Sequence, residues 1–71
     1  MDKDLFEELR SLRFEIAQKR GVPAYVIFGD KTLRELARVR PETLGEMLDV
    51  HGIGERKLSQ FGEAFLAVLN G

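Results

Sequence analysis

"VHGIGERKLSQFG", residues 50–62, sets two glycines around an isoleucine and follows them at once with an acid, two cations and an amphipathic run. Glycine adopts backbone conformations that a side chain forbids, so a Gly-Ile-Gly step can turn the chain sharply, with Ile53 pointing back as a plug. Downstream, Leu58, Phe61, Phe65, Val68 and Leu69 recur at helical spacing and predict a helix from Gly54 or Glu55 to Leu69. Upstream, "TLGE" (residues 43–46) has Thr43 at a cap position and Glu46 three residues later, the capping-box pattern. It predicts a short helix that buries Leu44, Met47 and Leu48. The stretch therefore joins two helices.

Working back toward the N-terminus, Leu5, Leu9, Leu12 and Ile16 recur at steps of four, three and four, the seam of an amphipathic helix over Asp4–Arg20. Acids crowd its first turns and Lys19 and Arg20 close it, as the helix dipole favours, with Gly21 and then Pro23 marking the stop. "GVPAYVIFG" (residues 21–29) has the composition of a strand, yet an isolated strand would have no partner. It reads instead as a connector with one helical turn that presses Val26, Ile27 or Phe28 into the core. Asp30 is the expected N-cap of the helix "KTLRELARVR", with Leu33, Leu36 and Ala37 on its inner face and Pro41 ending it. The expected fold is all-α, a single-domain bundle of four to five short helices with a helix-hairpin-helix-like turn.

At 71 residues there is room for one thin core, and with no cysteine and one histidine neither disulfides nor a metal cluster can staple it. Hydrophobic residues at 44% and charged residues at 32% fit a soluble globular domain, and no apolar run could span a bilayer. The charged N-terminus does not read as a signal peptide. Net charge is −1, but it is unevenly spread. Residues 1–9 carry one cation and four acids, residues 10–20 carry four cations and one acid, and residues 41–51 carry three acids and no Lys or Arg. A basic side and an acidic side follow.

No constellation for catalysis is present. Ser11 and Ser59 lack a nucleophile-elbow context, and Glu7 and Glu8 are helix neighbours that point about 100° apart. The glycine turn leaves two readings open. Gly52 and Gly54, with positive φ and a close approach, can expose N–H groups at the start of the last helix as a cradle for phosphate; or they can serve only as a tight turn. Arg56 and Lys57 lie in the first turn, where cations are unfavourable to the dipole unless an anion is near. Against a duplex clamp stand Leu58, where such hairpins usually carry a small residue, and the acid Glu55. His51 is either a plain turn residue or a phosphate contact.

On a helical wheel Arg10, Arg13 and Arg20 fall on one flank of the first helix and Glu7, Glu8 and Glu15 on the other, with Phe14 opposite the seam. Phe14 beside Arg10 and Arg13 can stack a base, meet a protein partner, or simply be a lone exposed apolar residue. Tyr25, with Arg20 before it and Lys31 after it, has the ring-and-cation mixture of single-strand sites, or is core filler with its hydroxyl at the surface.

Taken together, "LFEELRSLRFEIA", "VPAYVIFGDKTLRELA" and "TLGEMLDVHGIGERKLSQFGEAFLAVL" resemble the HRDC domain, the helicase and RNase D C-terminal module, over nearly the whole chain, and its RecQ branch more than its RNase D branch. The resemblance implies a compact five-helix bundle that is an accessory module of a larger helicase, without a motor of its own. It implies contact with single-stranded or branched (junction) DNA and tuning of which DNA structures the enzyme engages, a contact that the net charge of −1 should keep weak, and Tyr25 matches a connector tyrosine implicated in single-strand binding. Arg56 and Lys57 match the basic pair after the hairpin; Arg20 and Lys31 are added from their nearness in sequence. The domain itself needs no cofactor, ATP and magnesium belonging to the parent enzyme. Expected partners are DNA and the helicase core of the same chain, with no membrane, a monomeric state in isolation and an intracellular setting, cytoplasm or nucleoid in a bacterium. The alternative is a protein-interaction or autoregulatory module using the acidic flank and Phe14 against the helicase core or another copy of the domain.

Overall fold

The computed structural model describes residues 3–71 and consists of five helices: α1 (Lys3–Arg20), α2 (Ala24–Ile27), α3 (Asp30–Val39), α4 (Leu44–Met47) and α5 (Glu55–Asn70). Helix α1 packs against α2, α3 and α5, and α4 lies on α5. It ends in a Schellman turn: Gly21, at φ +67°, donates to Gln18 O and Val22 donates to Ala17 O. The connector carries a single helical turn, α2, as the sequence leads one to expect. Ile27 and Phe28 are fully buried, whereas Val26 is exposed. The Phe28 ring meets Phe61 and Phe65 of α5 edge-on, with centroids 6.0 Å and 5.0 Å away, and so ties the connector to the last helix.

Three expectations need correction. The deeply buried line of α1 is Leu5, Leu9, Arg13 and Ala17, with Leu12 and Ile16 only half-buried. Arg13 therefore leaves the exposed basic flank; its guanidinium tolerates burial because it donates to Phe28 O inside and pairs with the Asp30 carboxylate at the surface. The N-cap of α3 is Gly29, not Asp30. Asp30 is the first helical residue and its carboxylate turns to Arg13 instead.

Leu48, expected in the core, is exposed. Asp49 donates to Glu46 O and Val50 to Met47 O, bonds of the i to i−3 kind that wind the chain at about three residues per turn. That period puts Met47, Val50 and Ile53 on one buried face and swings Leu48 outward. The cap of α4 is half as expected. Thr43 Oγ1 accepts from Glu46 N at 3.1 Å, but the Glu46 carboxylate reaches back to Glu42 N, one residue before the cap.

Helix α5 buries Phe61, Gly62, Phe65 and Leu69, with Leu58 and Val68 packed at the edge. Gly62 admits α4 closely, since a Cβ there would come within 3.0 Å of Leu44 Cδ2. Among the described residues no buried side-chain nitrogen or oxygen lacks a hydrogen-bond partner.

Candidate nucleic-acid interface

The two glycines of the opening stretch do different work. Gly52 has φ +88°, and a Cβ on it would run into Thr32 Oγ1. Thr32 is buried on α3, and its hydroxyl donates to His51 O at 2.9 Å, so α3 clasps the turn from behind. Gly54 has φ −104° with open space about it, so the positive φ and close approach expected there are absent. It is the N-cap of α5 and brings no side-chain cap. The leading N–H groups of α5 thus have no intrahelical partner.

Arg20, at the end of α1, faces Arg56 and Lys57, at the start of α5, across a groove floored by Val22, Ile27 and Phe61. Among the described residues no carboxylate lines this groove. Two of the three cations lie over aromatic rings: the Arg20 guanidinium is 4.6 Å from the Phe61 centroid and Lys57 Nζ 5.9 Å from that of Phe28. The charged heads themselves lie against the rings, and with Arg20 and Arg56 exposed an anion can reach them. Gln60, one turn beyond Arg56, adds an amide to the same wall. Its i+4 spacing from Arg56 was the signal in the sequence that could have found it.

Tyr25 projects from α2 at 72% exposure, next to Val26, which lines the groove. A ring so exposed is not core filler. Lys31 is exposed on the first turn of α3 and does not line the groove. Its charge acts on Glu35, whose carboxyl is held below its ordinary range mainly by the hydrogen bond from Arg38. The cations named from sequence thus divide, with Arg20, Arg56 and Lys57 together and Lys31 apart.

Phe14 is 59% exposed, as its wheel position requires, with shallow clefts on either side that share Ala24. Of its two expected neighbours, Arg10 is exposed and paired to Glu7 at 3.2 Å. Arg13 is buried: Nη1 donates to Phe28 O at 3.0 Å and Nη2 to Asp30 Oδ1 at 2.8 Å. Those contacts depress the Asp30 carboxyl below its ordinary range, chiefly through the Arg13 hydrogen bond and charge. Between α1 and α5, Glu8 and Glu15 rim a second groove over Leu12 and Val68. Among the described residues no group of acids, His or Cys could hold a metal, and no helix is long and apolar enough to cross a membrane.

Comparison with known proteins matches this arrangement to one family. Residues 2–69 match the HRDC domain. The chain is 46% identical over 68 residues to the ATP-dependent DNA helicase RecQ of Pasteurella multocida and 47% over 68 residues to that of Haemophilus influenzae, in each case spanning 96% of this chain. It is 38% identical over its full length to the ATP-dependent DNA helicase UvrD2 of Mycobacterium tuberculosis, covering 10% of that protein. The chain spans only 11% of the length of the two RecQ relatives. Among solved structures, "D. radiodurans RecQ HRDC domain 3" superposes with a TM-score of 0.90 at 42% identity, over 94% of this chain and 88% of that one. The chain belongs to the HRDC family, the small helical accessory domains of RecQ-type helicases that are not themselves catalytic.

Proposed function

We propose that this domain is a weak binder of single-stranded or branched DNA that tunes which DNA structures a parent ATP-dependent helicase engages. The observation that carries the reading is the convergence of Arg20, Arg56 and Lys57 on one groove with no carboxylate among its described lining residues, and Tyr25, exposed, precedes the lining residue Val26 in the chain. Cations in a row meet successive phosphates, and a neighbouring ring takes the face of a base that the backbone presents. Arg56 and Lys57 also flank the free N–H groups of α5, which adds to the same potential. Gly52 and Gly54 serve by shaping the turn that sets these cations in place, and Lys31 stands outside the groove as a peripheral contact at most. ATP and magnesium belong to the motor of the longer chain, in a bacterium a protein of cytoplasm or nucleoid. The test is titration of a labelled single-stranded oligonucleotide at low salt. Saturable binding weakened by Tyr25→Ala and by Lys57→Ala is expected; no binding, or binding untouched by both, refutes the reading.

A second reading is favoured by the groove of Glu8, Leu12, Glu15 and Val68, an apolar floor under two carboxylates. There the domain docks on the helicase core and regulates it, with Phe14 and Arg10 as further contacts. Deleting the domain from the parent enzyme then alters its ATPase or DNA preference even where the isolated domain ignores DNA. If deletion changes neither, this reading fails.

A further inference from the structure

We infer that Arg13, a buried side chain of α1, is a positioning residue that locks the Tyr25 turn in register with the cations of α5; the inference rests on the DNA-binding reading above. Helix α2 has four residues and no side-chain cap, and a single turn has no stability of its own. Its exit runs through Gly29, which has open space around it and no side chain to wedge it. Arg13 spans that weak point. One arm of its guanidinium holds the carbonyl of Phe28 just before Gly29, at 3.0 Å, and the other holds the carboxylate of Asp30 just after it, at 2.8 Å. The planar fork of arginine can hold two acceptors at once in fixed relation, which lysine cannot.

Phe28 carries the constraint onward. Its backbone is fixed by Arg13, while its ring sits edge-on to Phe61 and Phe65 and faces Lys57 Nζ at 5.9 Å. Tyr25 lies three residues before it on α2, and Phe28 follows that helix as its extended C-cap. One side chain therefore couples the turn that bears Tyr25 to the ring that Lys57 approaches. With Arg13 shortened, Phe28 O and the buried end of the clamp lose their donors, and the turn bearing Tyr25 gains freedom that binding must then remove.

Tyr25 is the only tyrosine and the chain has no tryptophan, so its emission reports on the turn directly. The experiment compares wild type, Arg13→Gln, Arg13→Lys, Asp30→Asn, Tyr25→Ala and the Arg13→Gln/Tyr25→Ala double variant in the 71-residue chain, with helix content checked by circular dichroism. Arg13→Gln is expected to lower the steady-state anisotropy of Tyr25 in the free protein and to weaken binding of labelled oligo-dT about threefold or more, while in the Tyr25→Ala background it costs less than about twofold. The salt dependence of binding should keep its slope, because no phosphate contact is lost. Asp30→Asn, which spares the bond to Phe28 O, and Arg13→Lys give smaller shifts in the same direction and serve if Arg13→Gln does not fold. Unchanged Tyr25 anisotropy in these variants overturns the positioning role, as does equal loss of affinity in both backgrounds or a slope reduced by about one ion, the mark of a direct phosphate contact. A drop in anisotropy with no effect of Tyr25→Ala on DNA affinity supports the clamp and overturns the DNA-binding reading.

Discussion

Replacing Gly52 by alanine tests the account of the turn at its most constrained point. The backbone there has φ +88°, outside the range a side chain accepts readily, and the added methyl collides with Thr32 Oγ1. Holding a non-glycine residue at positive φ costs about 1–2 kcal/mol. Moving Thr32 aside breaks its 2.9 Å bond to His51 O in a buried setting, and a buried hydroxyl left without a partner costs about 1–3 kcal/mol. Alanine also restricts the unfolded chain, which returns about 0.4–1 kcal/mol. The net loss is about 1–5 kcal/mol, centred near 3 kcal/mol, against a total near 4–10 kcal/mol for a domain of 71 residues. At about 4–8 °C per kcal/mol, a loss near 3 kcal/mol lowers the melting temperature by about 12–24 °C in a thermal scan followed by circular dichroism. Gly54→Ala is the internal control, because φ there is −104° with nothing near the new methyl. Loss of the glycine N-cap should cost at most about 1 kcal/mol. Equal destabilisation by the two substitutions, within about 0.5 kcal/mol, would refute the assignment of the turn's strain to Gly52.

Ile53→Ala removes a plug only 5% exposed and should cost about 2–4 kcal/mol by urea denaturation, whereas Leu48→Ala, at 39% exposure, should cost under about 1 kcal/mol. With three cations in the groove, oligo-dT binding should fall with salt at a logarithmic slope of about −2, and Lys57→Ala should flatten it by about 0.7. Acid stability depends on Asp30, whose folded-state carboxyl is depressed by Arg13. Its contribution is complete above the unfolded value near 3.8 and disappears as pH falls through the lower folded value, so melting temperatures of wild type and Asp30→Asn should converge in acid and separate toward neutrality.

The sequence reports the elements far better than the directions their side chains take. Periodicity located α1, α3 and α5, because in each a run of leucines and phenylalanines has one face to bury. It misled where a polar side chain could be satisfied inside. Nothing local in "LRSLRFE" separates Arg10 from Arg13, since the difference lies in Phe28 O and Asp30, fifteen and seventeen residues on. Leu48 was misplaced for another reason. Its fate depends on the change from 3.6 to about three residues per turn after Met47, which no hydrophobic pattern announces. The groove was half legible: Arg56 and Lys57 stand out as cations at a helix start, and Arg20 joins them only because Phe61 brings α1 and α5 together.

A domain of net charge −1 is an unpromising DNA binder, and the arrangement of charge explains how the proposed role could still be served. Glu8 and Glu15 rim the groove between α1 and α5, while Arg20, Arg56 and Lys57 share another with no acid in its lining. A strand in the cationic groove therefore meets no carboxylate among the described lining residues, and charges farther off than about 8 Å are screened at physiological ionic strength. Three phosphate contacts and one stacked base give weak affinity for a free domain. In a longer chain the same site acts at the effective concentration set by its tether, in the millimolar range for short linkers, so weak contact suffices to bias which DNA is held. The proposed tuning should then depend on linkage: the isolated domain added in trans at micromolar concentration should leave the substrate preference of a domain-deleted parent helicase unchanged, whereas re-attachment should restore it. Restoration in trans at micromolar concentration would show a tight docking interaction, and would favour the groove of Glu8 and Glu15 over the cationic one as the working surface.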